Sequence, residues 1–152
     1  MSIDKRLEEL GITLPQAAAP VASYQPLVVE GGMVHLSGQL PFVEGELVTG
    51  RLGIDRTLDE GQAAARACGL MILAQLKANG IALDRVKQVV KLGVFVASTP
   101  DFHQQPKVAN GASDLMFEVF GDIGRHARSA VGVAVLPLNA AVEVDALIAL
   151  KD

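Results

Sequence analysis

Cysteine, aromatic residues and clustered basic residues are scarce in this chain of 152 residues, and each scarcity excludes a class of protein. The single cysteine, Cys68, lies in an apolar helical pattern, so an internal disulfide is impossible and we expect a buried, inert thiol. With one tyrosine and no tryptophan, few side chains are present on which nucleic-acid bases could stack. No apolar run approaches the roughly 18 residues that a membrane span requires. We therefore expect neither a membrane nor a nucleic-acid partner.

Charge and motif patterns narrow the function further. The formal net charge is −4, and the basic residues are scattered, so the focused positive field of a nucleic-acid surface is missing. His35, His103 and His126 lie far apart, and no metal-ligand spacing or nucleotide-binding fingerprint is present, so we expect no metal and no cofactor. The N-terminal segment has no apolar signal core, which favours a cytoplasmic protein.

Half of the residues are hydrophobic, which is typical of one globular domain over residues 1–152. Hydrophobic periodicity, capping residues and glycine turns predict the order of elements. These are a helix over 2–10, an extended lead-in over 13–26, a hairpin around Gly31-Gly32, a small hairpin over 42–48, a helix from Thr57 to Asn79-Gly80, a strand over Val86–Ala97, a loop over 98–112, a helix over 111–120 and a C-terminal hairpin closed by a Pro-Leu-Asn turn.

This order predicts a layered α+β domain with two main helices on one face of a mixed sheet, and at least one parallel strand pair. On the longer helix, an apolar face is expected from Ala63, Ala67, Leu70, Met71 and Ala74. The other face of the sheet has no obvious cover in the chain. An uncovered apolar face predicts self-association.

The charges near the C-terminus are the candidates for chemistry, because their surroundings are aliphatic. Arg128 opens one predicted strand and Glu143 lies in the next. A guanidinium beside an apolar sheet is a good receptor for a carboxylate, since its planar fork binds two oxygens. A glutamate nearby can orient or activate a water molecule. The alternative is that Arg128 and Glu143 form only a structural ion pair.

Several short motifs stand out along the chain: Ser-Tyr-Gln at 23–25, Leu-Ser-Gly-Gln-Leu-Pro at 36–41, Gly-Val-Phe-Val at 93–96 with Asp101-Phe102, Ala-Arg-Ser-Ala-Val at 127–131, Leu136-Pro137 and Val-Glu-Val-Asp-Ala at 142–146. In these motifs the chain resembles the RidA/YjgF/YER057c/UK114 family of enamine/imine deaminases, over about residues 20 to 150. Tyr24 also lies thirteen residues before Ser37, as in the family pattern.

The resemblance implies a two-layer fold like that of chorismate mutase, assembled as a homotrimer with pockets at the subunit interfaces. Arg128 would bind the substrate carboxylate and Glu143 would orient the attacking water. The backbone of Ala130 would lie against the reacting nitrogen. Tyr24, Ser37 and Gly38 would complete the wall, and Asn110 is the candidate for a family asparagine.

The chain departs from the family pattern in an N-terminal extension of about residues 1–15, in a long segment over 98–112 and in His126, where a proline is common. The implied activity is hydrolysis of reactive 2-imino or enamine acids to 2-keto acids and ammonia, without metal or cofactor. We favour an enzyme of this kind. The alternatives are a non-catalytic module that binds or senses small keto acids, and an endoribonuclease or translation inhibitor, which the acidic charge disfavours.

Overall fold

The computed structural model describes residues 2–19 and 23–152 as an α+β fold with a mixed five-stranded sheet and helices packed on one face. The elements are α1 (Ile3–Glu9), β1 (Leu27–Glu30), β2 (Met33–Gln39), β3 (Phe42–Val43), β4 (Glu46–Leu47), α2 (Leu58–Ala78), β5 (Val86–Ala97), α3 (Gln105–Phe120), β6 (Ala127–Val133) and β7 (Val142–Leu150), with short 3-10 turns at Leu83–Arg85, Gly121–Gly124 and Pro137–Asn139. No helix in these residues is long and apolar enough to cross a membrane.

The sheet has the strand order β1-β2-β7-β5-β6, and β3 and β4 form a separate small hairpin. β5 and β6 are parallel and joined by α3, so the predicted parallel pair is confirmed. The other neighbours are antiparallel. The predicted C-terminal hairpin is wrong, because β6 and β7 are not paired and β7 lies between β2 and β5. The eight residues after β6 carry the chain past β5, which a two-residue hairpin turn could not do.

Local signals placed most elements correctly. Ser2 caps α1, and its hydroxyl accepts a hydrogen bond from the Lys5 amide at 3.1 Å. Thr57 and Glu60 form a reciprocal capping box at the start of α2. Gly31 and Gly32 both have positive φ, which a tight turn between right-handed twisted strands requires. Residues 13–19 form no helix or strand, which fits the lead-in predicted over 13–26, but the chain bends at Ser23, Tyr24 and Pro26 and is not extended there. Residues 20–22 lie outside the described part.

Helix α3 starts earlier than the sequence predicts. It begins at Gln105, so the expected loop over 98–112 is a loop only up to Gln104. Pro106 falls within the expected loop over 98–112, but it lies in the first turn of the helix. Proline fits there because the first amide groups of a helix have no intrahelical partner to lose.

The predicted apolar face of α2 is also partly wrong. Ala63 is exposed and Leu70 is only half-buried, whereas Ala64, Cys68 and Ile72 are fully buried against the sheet. The stripe that includes Ala63, Ala67, Leu70 and Met71 instead lines an apolar groove of about 840 Å³ between α2, the lead-in and the β3–β4 hairpin. The helix is apolar around most of its circumference, so periodicity alone could not identify the face that packs on the sheet.

Strand β7 shows how the two faces of the sheet differ. Val142, Val144, Ala146, Ile148 and Leu150 are buried under the helices, and the residues between them are half-exposed on the opposite face. No element in the described part of the chain covers that second face. Because side chains alternate along a strand, each residue of the central strands can be assigned to the helix-covered face or to the open face from the register.

A candidate active site in two halves

Arg128 and Glu143 lie on opposite faces of the sheet. Arg128 is in register with Leu92, which is buried on the helix-covered face, whereas Glu143 is in register with Phe95 on the open face. The two residues are also two strands and three positions apart, which separates their Cα atoms by roughly 14 Å. A structural ion pair between Arg128 and Glu143 is therefore excluded within one chain.

The first half of the site is built on α3 and the edge strand β6. Nη1 of Arg128 donates hydrogen bonds to Oδ1 of Asn110 at 2.8 Å and to Oγ of Ser113 at 3.0 Å. Asn110 and Ser113 lie three positions apart on α3, so they share one face of the helix. Arg128 lines a cavity of about 320 Å³, and Phe117 and Arg125 line the same cavity.

His126 belongs to the same half, at the start of β6. Its Nε2 is 2.9 Å from Oγ of Ser113, and its Nδ1 is 2.8 Å from the carbonyl oxygen of Gly124. Burial and, less strongly, the positive charge of Arg128 lower the pKa of His126, although the hydrogen bond to Gly124 opposes them. The imidazole is therefore neutral at neutral pH.

Ala130 lies two residues after Arg128, so its side chain is on the same face of β6. Its side chain is half-buried against the core. β6 pairs only with β5 within the described chain, so the outer edge of this strand, including the backbone near Ala130, is open to another partner.

The second half of the site surrounds Glu143. A cavity of about 100 Å³ is lined by Tyr24, Gly38 and Glu143, together with Ala18, Ala19, Pro26, Gln39, Leu40, Phe42, Gln75 and Pro137. Burial and the nearby charge of Asp145 raise the pKa of the Glu143 carboxyl group. A raised pKa makes the carboxylate a stronger base for proton transfer near neutral pH.

Hydrogen bonds hold the wall of this second cavity in place. The hydroxyl of Ser37 donates to the carbonyl oxygen of Gln25 at 2.7 Å, which fixes the segment that carries Tyr24. Ser37 therefore supports the wall without lining the cavity. Behind it, the buried Gln75 donates from Nε2 to Oε1 of Gln39 at 3.2 Å and to the carbonyl oxygen of Ala18 at 2.7 Å.

The structure thus groups the predicted site residues in two sets. Asn110 and Arg128 meet in one half, while Tyr24, Gly38 and Glu143 meet in the other. Ser113, Gln39 and Gln75 were not predicted as site residues. Ser113 lies three residues after Asn110, and this spacing puts the two on one helix face only if the helix begins before residue 110.

Cys68 does not line either cavity. Cys68 is fully buried, and burial raises the pKa of its thiol well above the ordinary value, so the expected inert cysteine is confirmed. In the described part of the chain, no three His, Cys, Asp or Glu side chains come close enough to bind a metal ion together.

Comparison with known proteins gives consistent matches over nearly the whole chain. Residues 4–150 match the family described as "YjgF/chorismate mutase-like, putative endoribonuclease". The chain is 57% identical over 148 residues to Protein TCP17 of Trypanosoma cruzi, covering 96% of this chain and 92% of that protein. It is 33% identical over 142 residues to a 2-iminobutanoate/2-iminopropanoate deaminase of Dermatophagoides farinae, covering 92% and 95%. A crystal structure of a protein of unknown function from Agrobacterium tumefaciens superposes with a TM-score of 0.90 at 48% identity, covering 98% and 92%.

Proposed function

The chain belongs to the YjgF/chorismate mutase-like family, and from this premise we propose that it hydrolyses 2-imino acids to 2-keto acids and ammonia. The observation that carries the proposal is the presence of two complementary half-sites in the fold. One presents an anchored guanidinium and the other a carboxylate of raised pKa in a small cavity. The relative from Dermatophagoides farinae is named as a deaminase of this kind.

Arg128 is proposed to bind the substrate carboxylate. Both hydrogens of its Nη1 are used by Asn110 and Ser113, while Nε and Nη2 form no hydrogen bond to any described residue. Nε and Nη2 lie on one side of the planar guanidinium, so together they can donate two parallel hydrogen bonds to a carboxylate. A substrate held in this way has its C2 atom at a fixed distance from the arginine.

Glu143 is proposed to act on the water. The ionised carboxylate accepts a proton as the water oxygen attacks C2 of the imine, which gives a tetrahedral carbinolamine. The same group passes this proton to the nitrogen, then takes the proton of the carbinolamine hydroxyl and delivers it to the amine as the C=O bond forms, the C–N bond breaks and ammonia leaves. The net reaction consumes one water and yields one 2-keto acid and one ammonia. Imines are already reactive, so holding the water and the imine carbon together provides much of the acceleration.

Because the two halves face away from each other in one chain, a complete site needs two subunits. We infer a homotrimer in which the Arg128 half of one subunit faces the Glu143 half of its neighbour. The open sheet face supports this assembly, since Val28 and Val131 are about half exposed there, at 53% and 45%. A self-associating protein buries such apolar side chains between its subunits.

A trapping assay tests the activity. An amino-acid oxidase generates a 2-imino acid, and semicarbazide added to the mixture traps it as a semicarbazone. We expect the initial rate of semicarbazone formation to fall progressively as more of this protein is added, because hydrolysis competes with trapping. An unchanged rate with saturable binding of a 2-keto acid, measured by calorimetry, would favour the binding module over the enzyme.

A further inference from the structure

Arg128 is held from one side, which fixes the edge that it can offer to a ligand. Nη1 donates to Asn110 at 2.8 Å and to Ser113 at 3.0 Å. A guanidinium that loses one of these anchors can rotate about its last torsion angles, and the Nε–Nη2 edge then has no fixed direction. The anchors on α3 therefore matter for carboxylate binding even though they need not touch the ligand.

The hydroxyl of Ser113 is itself oriented by His126. A carbonyl oxygen can only accept, so the 2.8 Å contact with Gly124 assigns the ring hydrogen to Nδ1 of the neutral imidazole. Nε2 is then an acceptor, and the hydroxyl of Ser113 donates to it at 2.9 Å. The lone pairs of the same oxygen remain to accept from Arg128. The three side chains thus form one directed chain of hydrogen bonds, from Arg128 through Ser113 to His126.

We propose that Ser113 and His126 are positioning residues that hold the Nε–Nη2 edge of Arg128 toward the substrate carboxylate, and that protonation of His126 weakens this hold. The proposal rests on the function proposed above and adds a means of control to the same site.

The chemistry of protonation explains the direction of the effect. A protonated His126 has a hydrogen on Nε2 and becomes a second donor to the oxygen that already accepts from Arg128. Two cations then converge on one hydroxyl. The hydroxyl has two lone pairs and can accept from both, but the two positive charges repel each other across it. The hydrogen bond that anchors the guanidinium on Ser113 is therefore weakened.

The other charged groups near His126 do not reverse this effect. Asp114 of α3 and Arg125 of the preceding turn line the same cavity as Arg128. Arg125 is 3.4 Å from Asp122, and its guanidinium also stacks on the ring of Phe117 at 4.2 Å. Among the charged groups of residues 2–19 and 23–152, Arg128 is the one that shifts the pKa of His126, and it lowers that pKa, as burial does.

A measurement on the ligand-free protein tests the arrangement without reference to activity. Nitrogen-15 NMR of the His126 ring should show the Nδ1–H tautomer at neutral pH. Hydrogen exchange at the Arg128 guanidinium should become faster in Ser113→Ala and stay near the wild-type rate in Ser113→Thr, which keeps the hydroxyl. An Nε2–H tautomer, or an unchanged exchange rate in Ser113→Ala, would overturn the proposal.

Kinetics then test the consequence for the substrate. We expect Ser113→Ala to raise KM for imino acids about tenfold, with kcat within about twofold. The effect should be smaller than the loss of a charged hydrogen bond to the substrate itself, because Asn110 still anchors Arg128. In the wild type, KM should rise as the pH falls below the ordinary histidine value of 6.5. This rise should disappear in His126→Gln, which accepts a hydrogen bond but does not titrate.

His103→Gln is the matched control, since His103 is exposed in the loop before α3 and should leave the pH profile unchanged. A KM that falls on acidification would overturn the proposal, because it would mean that the added positive charge attracts the substrate more than the lost anchor weakens binding. If the wild type has no imino-acid activity, the proposed function is overturned instead. The NMR result would still show whether the hydrogen bonds from Arg128 through Ser113 to His126 are present.

Discussion

Gly38 lies so close to Glu143 that a methyl group in its place would sit 2.6 Å from Oε2 of the carboxylate. Strand β2 carries an irregularity in its register to β7 at this point, between Leu36 and Gln39. The glycine is thus the residue that allows the carboxylate to lie flat against the neighbouring strand. Because glycine has no side chain, Gly38 leaves room for the Glu143 carboxylate.

Gly38→Ala should therefore displace the Glu143 side chain. We expect kcat to fall at least about tenfold, because proton transfer depends on the position of the carboxylate, while KM changes little. Unfolding measurements in urea should show a loss of about 1–3 kcal/mol, the usual cost of overpacking. In a Glu143→Ala background the same substitution should cost almost nothing. Equal costs in both backgrounds would contradict the contact.

Arg128→Lys should lose most of the activity while the protein stays folded. A lysine keeps the charge but cannot form two parallel hydrogen bonds to a carboxylate. The loss of one charged hydrogen bond, about 2 kcal/mol, corresponds to a fall of roughly 30-fold in kcat/KM. Arg66→Lys, at a partly exposed ion pair with Glu118 on the helical layer, is the matched control and should behave as the wild type. Wild-type turnover in Arg128→Lys would refute the assignment.

Glu143→Gln should inactivate the protein and stabilise it at neutral pH. The pKa of Glu143 is raised in the folded state, so the folded protein binds more protons than the unfolded chain between the unfolded pKa and the raised folded pKa. The free energy of unfolding therefore falls as the pH rises through that window. Above the folded pKa the carboxylate is ionised in both states, and its full destabilising effect on the folded protein is present. Thermal unfolding should give Glu143→Gln a higher Tm than the wild type at pH 7, and the difference should vanish below about pH 4. A lower Tm at pH 7 would contradict the raised pKa.

The sequence predicted most of the elements, because capping residues, glycine turns and hydrophobic alternation are local signals. Thr57 with Glu60 and the Gly31-Gly32 turn are examples. It failed where pairing is non-local. The Pro-Leu-Asn turn resembled a hairpin, but residues that pair with β7 come from β2 and β5, far away in the sequence. Pro106 has two ordinary environments, a loop or the first turn of a helix, and local composition does not distinguish them.

Prediction of the candidate site from the sequence was limited by the same non-local pairing. Arg128 and Glu143 could be singled out because charges in apolar strands need an explanation. Their faces could not be assigned, because that requires the register of two strand pairs, including irregularities between Val86 and Gln88 and between Val89 and Lys91. Ser113 was missed because the start of α3 was placed too late. The relationship between the two half-sites is therefore a property of the fold and not of any motif.

A site shared between two subunits, as we propose, leads to a quantitative prediction for mixed oligomers. We expect light scattering to show a homotrimer. In the activity assay, neither Arg128→Ala nor Glu143→Gln should be active alone. When the two variants are co-expressed in equal amounts, a site is complete only if its arginine comes from a Glu143→Gln subunit and its glutamate from an Arg128→Ala subunit. Random assembly makes about a quarter of the sites complete, so about a quarter of the wild-type activity should return.

A second mixture provides the control for subunit exchange. The wild type co-expressed with the double variant, which carries both substitutions on one chain, should also give about a quarter of the activity, because both partners of a site must then be wild type. If each site were formed within a single chain, the first mixture would stay inactive and the second would give about half. The two mixtures together separate a shared site from an internal one, since only a shared site makes their activities equal. Equality is what the opposite faces of Arg128 and Glu143 require, because a single chain cannot bring both side chains to one substrate.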